Sequence, residues 1–112
     1  MNNYWLAKIE NPTVLDRINI RRLLFAVRDQ VFSYLNSNEH IDSWEKLCDD
    51  THDFIVRLMF KYHEAKALHH FGVAKYKEDG SVSIKLSIQP REWTEYISVD
   101  FILTEPQDAI YY

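Results

Sequence analysis

The segment VAKYKEDGSVSIKLSI, residues 73–88, carries the clearest structural signal in this chain of 112 residues. Between positions 82 and 88 an aliphatic residue alternates with serine or lysine, and this period of two is that of a half-buried β-strand. The dipeptide Asp79-Gly80 precedes the run and is typical of a tight hairpin turn. The segment therefore predicts a hairpin whose strands cover residues 73–77 and 82–88.

The same alternation returns between positions 97 and 103, after Pro90 has ended the preceding run and before Pro106 ends this one. We expect this third strand to complete a meander with one solvated face, as antiparallel sheets often have. The residues predicted on that outer face are Ser81, Ser83, Lys85, Ser87, Tyr96, Ser98 and Asp100. Near the start of the chain, residues 4–9 (YWLAKI) are aromatic and branched and predict a short additional strand before Asn11-Pro12.

A helical pattern runs from about residue 13 to 35. Thr13 followed by Asp16 is a weaker version of the capping box that opens helices. The main apolar face comprises Ile20, Leu23, Leu24, Val27, Val31, Tyr34 and Leu35, and a second stripe comprises Val14, Ile18, Phe25 and Phe32. Two stripes indicate either a helix packed on more than one side or a break near Asn19, with Phe25 and Phe32 forming an exposed binding stripe.

A second helical pattern begins near Asp42, which has Glu45 three positions later, as helix starts often do. Apolar residues then recur at steps of three and four. The run 49–53 (DDTHD) is rich in residues that favour helix caps over helix interiors. The pattern therefore predicts either one helix from about 43 to 70 or a short helix followed by a long one, with Gly72 as the C-cap.

Two helices, a meander of three strands and an added N-terminal strand predict an α+β fold. Helices packed on one face of an antiparallel sheet form a two-layer sandwich. The length is near the commonest domain size and predicts one domain spanning residues 1–112.

Cysteine content and hydropathy predict the compartment. The single cysteine, Cys48, cannot form an internal disulfide, which fits a reducing environment. The first residues lack the features of a signal peptide, and no apolar run reaches the roughly 18 residues of a membrane span. We therefore expect a cytoplasmic protein that does not enter a membrane. The net charge of −4 disfavours nucleic acid as a partner.

The chain has no recognisable catalytic or cofactor motif. His52, His63 and His70 share one edge of the predicted second helix, but His63 and His70 are separated by roughly 10 Å along the axis, too far to bind one metal ion together. His63-Glu64 begins like the zinc-protease motif H-E-x-x-H, but alanine stands at position 67. Two glycines are too few for a phosphate loop. We expect no enzymatic activity, metal or cofactor.

Acidic residues are concentrated in one segment. Residues 39–53 contain six acidic residues and one basic residue, Lys46, a local charge of −5 in a chain whose net charge is −4. Two or three carboxylates would be enough to complement a helix dipole. The excess is typical of a solvated helix face or of a surface that binds a basic protein partner. The predicted partner-binding residues are Glu39, Asp42, Trp44, Glu45, Asp49, Asp50 and Asp53.

Small size, an acidic patch and the lack of a catalytic motif predict a non-catalytic, protein-binding inhibitor. Its most concrete form is a bacterial immunity protein that blocks a cognate toxin, such as a nuclease with a basic active site. A phage anti-defence inhibitor would have the same features. Alternatives are a nucleic-acid-binding regulator using the flank of Arg17, Arg21 and Arg28, and a small enzyme using the helix histidines, above all His63. Pairing of these arginines with the acids of the second helix is a simpler interpretation.

Overall fold

Four antiparallel strands form one sheet, and two helices pack against it. The computed structural model describes residues 5–9, 18–38, 43–91 and 96–105. In chain order the elements are β1 (Trp5–Ile9), α1 (Ile18–Ser37), α2 (Trp44–Glu64), β2 (Leu68–Glu78), β3 (Ser81–Pro90) and β4 (Ile97–Thr104). Neither α1 nor α2, the helices within those ranges, has the length and apolar character needed to cross a lipid bilayer.

The strand order is β1-β4-β3-β2, so the last three strands form a meander and β1 adds to its β4 edge. The hairpin turn is at Asp79-Gly80, where Gly80 has a φ of 75°, a left-handed conformation that glycine adopts without steric cost. The predicted α+β sandwich, its meander and its N-terminal strand are therefore confirmed. Thr13 and Asp16, where the first helix was predicted to begin, lie outside the described residues.

One face of the sheet packs against the helices and the other is solvated. Along β3, every second residue from Val82 to Pro90 is buried, and the serines and Lys85 between them lie on the opposite face. The core is formed by this sheet face together with the apolar faces of both helices. Its most deeply buried large side chains include Leu24, Val27, Val31 and Leu35 of α1, Ile55 and Met59 of α2, and Ile84, Leu86, Ile88, Ile97, Phe101 and Leu103 of the sheet.

One residue of the second apolar stripe of α1, Phe32, packs against the core. The Phe32 ring meets Phe101 edge-on, with 6.4 Å between ring centroids. The Arg28 guanidinium covers Phe25 at 4.5 Å from the ring centroid. Phe32 therefore packs against the core and is not part of an exposed binding stripe, whereas Phe25 is partly buried and contacts Arg28 of its own helix.

The second helix is unbroken, and it ends earlier than predicted. Thr51 is fully buried, and its Oγ1 donates to the Leu47 carbonyl at 2.6 Å, so residues 49–53 continue the helix. The helix ends at Glu64 because Lys66 adopts a left-handed φ of 62°. The Lys66 amide donates to the His63 carbonyl, and the next amide reaches back to residue 62, which is the Schellman arrangement that closes a helix.

Two sequence predictions at this helix end are wrong. Gly72 lies inside β2 and does not cap α2. His69 and His70 belong to the same strand, so His70 does not share a helix edge with His63. The apolar steps of three and four continued past the true helix end, and the left-handed turn that ends the helix falls on a lysine, where the sequence offers no glycine as a signal.

Candidate acidic interface on α2

Three carboxylates form a line along the outward side of α2. Glu45, Asp49 and Asp53 follow one another at steps of four residues, and all three are exposed. Steps of four bring side chains to one helix face at intervals of about 6 Å. This line of three carboxylates is called the acidic row below.

The acidic row contains more carboxylates than the dipole of α2 accounts for. Glu45 lies in the first turn, where a carboxylate complements the positive end of the helix dipole. Asp49 and Asp53 lie beyond that turn, outside the reach of the dipole effect. Like charges four residues apart also destabilise a helix slightly. The helix dipole therefore does not account for the presence of Asp49 and Asp53 in the row.

Lysines partly balance these acids. Lys75 of β2 hydrogen-bonds to Asp49, and this bond together with the lysine charge holds the pKa of the Asp49 carboxyl below its usual value. Beside the row, Lys46 Nζ donates to Asp50 at 2.8 Å. With Glu45 and Asp53 also present, the described part of the patch keeps a net negative charge. The lowered pKa keeps Asp49 ionised into more acidic conditions than an ordinary aspartate.

The remaining predicted partner-binding residues differ in their environment. Trp44 is half-buried and packs against the core, so its indole serves partly as a structural element of the first turn of α2. Asp53 lies beside His52, with 3.3 Å between Oδ1 and Nδ1. Glu39 and Asp42 lie outside the described residues. The acidic row is thus the part of the predicted surface that the fold places on one exposed face.

The arginines of α1 do not pair with the acids of α2 in the described part of the chain. Arg28 forms its ion pair with the adjacent Asp29, at 2.9 Å. Arg21 is exposed, and Arg17 lies outside the described residues. Among the described residues, Asp50 and Asp49 instead pair with the lysines Lys46 and Lys75, and the pairing predicted for Arg17, Glu39 and Asp42 lies outside the described part of the chain.

The structure also assembles a group of residues that the sequence did not single out together. At the C-terminal end of α2, an open pocket of about 490 Å³ is lined by His63, Glu64, Lys66, Leu68, His69 and Arg91. Lys66 and Arg91 had no sequence signal, because they meet only when β3 returns beside the start of β2. Within the described ranges, no three or more His, Cys, Asp or Glu side chains are grouped as metal ligands would be.

The acidic row, its lysine partners and this pocket are the surface features from which a function can be inferred. No protein-family model matches the chain, and no curated protein or solved structure is significantly similar to it.

Proposed function

We propose that this protein is a small, non-catalytic inhibitor that binds a partner protein with a basic surface through the acidic row of α2. The observation that carries the proposal is the row itself, because two of its three carboxylates, Asp49 and Asp53, are not accounted for by the dipole of their own helix. Asp50, balanced by Lys46, borders the row.

The chemistry of such a surface suits the neutralisation of an enzyme that binds phosphates. A row of fixed carboxylates can occupy a cationic cleft, and its field speeds association with an oppositely charged partner. The most concrete version is a bacterial immunity protein that blocks a cognate toxin nuclease in the cytoplasm. A phage protein that inhibits a component of host defence would use the same surface in the same way.

The scaffold behind the acidic row is suited to rigid presentation. The opposite side of α2 contributes Leu47, Thr51 and Ile55 to the core, and all three are buried. A partner therefore meets side chains on a fixed helix, which lowers the entropy lost on binding.

The test removes the charges of the row without changing the shape of its side chains. In the triple variant Glu45→Gln, Asp49→Asn, Asp53→Asn, capture of the partner from cells of the source organism by cross-linking is expected to be lost. The matched control is Glu64→Gln, Glu78→Gln, Asp79→Asn, which changes the net charge equally at exposed positions outside the row. We expect the control to capture the partner as the unmodified protein does.

Binding measurements with the captured partner then test whether association is electrostatic. Its affinity for the unmodified protein should fall steeply as salt is raised, mainly through a slower association rate. Equal capture by the triple variant and the control, or an affinity insensitive to salt, would rule out the acidic row as the binding surface.

A further inference from the structure

The pocket at the C-terminal end of α2 is cationic, in contrast to the acidic row at the other end. Lys66 and Arg91 each carry a full positive charge, and Glu64 carries the one carboxylate among the six lining residues that the structure describes. His63 and His69 add ring nitrogens that can donate hydrogen bonds. The floor includes Leu68, which is only 4 % exposed. An apolar residue surrounded by a few polar and charged groups is a combination that small-ligand sites share.

Lys66 occupies a backbone position that favours glycine. Its φ of 62° is the single positive value among the non-glycine residues that the structure describes. Helices that end in this way usually carry glycine at that position, because a side chain is disfavoured there. Lysine at this position lines the pocket at some cost to the helix terminus. Strain of this kind tends to accumulate at functional sites.

A second local irregularity, a β-bulge in β2, lies at the same pocket. The pairing of β2 with β3 shifts between Leu68 and His70, so His69 is the extra residue of a β-bulge. A bulge redirects a side chain and is frequent beside binding sites. Here the redirected residue lines the pocket together with Lys66. Two separate departures from regular structure thus converge on one small surface.

An exposed aromatic ring lies one helical turn from the pocket. Phe60 is 53 % exposed, and its ring meets Phe71 edge-on at 5.1 Å between centroids. Positions 60, 63 and 64 share one side of α2, because residues three and four apart are neighbours on a helix. An open aromatic face next to a cationic pocket can stack a planar base while the pocket holds its phosphate.

We propose that this pocket binds a nucleoside phosphate. Lys66 and Arg91 hold the phosphate oxygens by charge-assisted hydrogen bonds, the imidazoles of His63 and His69 donate further hydrogen bonds, and the base stacks on Phe60. Glu64 accepts hydrogen bonds from the sugar hydroxyls. The phosphate belongs either to a free nucleotide or to one end of a single strand. This site is separate from the acidic row and does not depend on it.

The test is a titration of the isotope-labelled protein with adenosine monophosphate, followed by amide chemical shifts. We expect shifts centred on residues 66–69 and 91. Lys66→Gly and Arg91→Gln should each weaken binding by about tenfold or more, as loss of a charge-assisted bond does. Lys66→Gly relieves the backbone at that position and should not lower the midpoint of urea unfolding, so its loss of binding cannot come from misfolding.

Further measurements distinguish the contribution of charge to binding from that of base stacking, and identify the source of the phosphate. Lys66→Arg should retain binding, and Lys77→Gln, at the opposite end of β2, should leave it unchanged. Phe60→Ala should weaken the binding of adenosine monophosphate but not the binding of inorganic phosphate. An oligoadenylate that binds more tightly than the mononucleotide identifies a single strand as the source of the phosphate, and the reverse order identifies a free nucleotide.

Two results would overturn the proposal: no binding of either adenosine monophosphate or the oligonucleotide at low salt, or binding that Lys66→Gly and Arg91→Gln leave unchanged. The triple variant of the acidic row should bind adenosine monophosphate normally. Failure of this site would therefore be distinguishable from failure of the proposed partner binding.

Discussion

Single residues determine where the second helix ends and what lies at that end. With glycine at position 66, the same turn would form without the steric cost of a side chain, which is about 1 kcal/mol. The lysine that stands there has a left-handed φ and lines the cationic pocket. The backbone conformation at position 66 favours glycine, whereas a positive charge at the pocket favours lysine. The residue present is lysine.

Cys48 is a second residue whose behaviour depends on its surroundings. The thiol is buried, and desolvation raises its pKa from 9.0 to about 11, with a further contribution from the Asp49 carboxylate. Because the thiolate is the reactive form, the native thiol should react slowly with a disulfide reagent near neutral pH and rapidly in denaturant.

The raised pKa also predicts a dependence of stability on pH. The contribution of Cys48 is fully present below the unfolded value of 9.0 and is lost as pH rises towards about 11, since only the unfolded chain releases the proton in that window. Urea unfolding of the unmodified protein and of Cys48→Ala should show a stability difference that shrinks across this range. A difference that stays constant would contradict a protonated, buried thiol.

At the scale of the elements, α2 joins the rest of the molecule by contacts on two sides. Towards α1, the rings of Tyr34 and Phe54 stack at 4.2 Å, and Gln30 donates to the Tyr62 hydroxyl at 2.8 Å. Towards the sheet, Lys75 reaches the helix at Asp49. These contacts orient the helix so that the acidic row faces solvent.

The start of α2 depends on one capping side chain. Ser43 Oγ accepts a hydrogen bond from the Lys46 amide at 3.2 Å. Ser43→Ala should lower the free energy of unfolding by about 1 kcal/mol, because the amide loses its partner. Ser33→Ala, at an exposed position inside α1, is the control and should raise stability by a few tenths of a kcal/mol at most, roughly the difference in helix propensity. Equal effects of the two substitutions in urea unfolding would show that Ser43 does not act as a cap.

At the scale of the whole molecule, the two faces of the sheet have different roles. Along β4, Phe101 points into the core and is fully buried, whereas its neighbour Ile102 lies on the outer face and is only partly covered. On that outer face the hydroxyls of Ser87 and Ser98 are 3.5 Å apart across the strands. The sheet thus separates an apolar layer from a solvated one, and the helices occupy only the apolar side.

This layering predicts opposite outcomes for two adjacent substitutions. Phe101→Ala should lower the free energy of unfolding by about 3–5 kcal/mol, since it removes a buried ring and its contact with Phe32. Such a loss is a large share of the roughly 5–15 kcal/mol that stabilise a typical domain. Ile102→Ala should cost well under half as much, because much of that side chain already meets water. Comparable losses in urea unfolding would mean that the outer face is covered.

Local patterns in the sequence were sufficient to predict the sheet and the presence of both helices. The alternation in residues 82–88 and 97–103, and the Asp79-Gly80 turn, predicted the meander because side-chain direction in a strand follows directly from position. The acidic row was contained in a predicted surface for a related reason: residues four apart on any helix share a face. These features need only neighbouring residues to be formed.

Only the tertiary structure determines where α2 ends, which side chains pair with its carboxylates and which residues form the cationic pocket. The apolar spacing continued beyond Glu64, and only the left-handed turn at Lys66 and the pairing of β2 with β3 show that the chain has changed to a strand. Asp49 contacts Lys75 across 26 positions of the sequence, and Lys66 and Arg91, 25 positions apart, line the same pocket. Contacts at such separations depend on how the helices pack on the sheet, which no local pattern encodes.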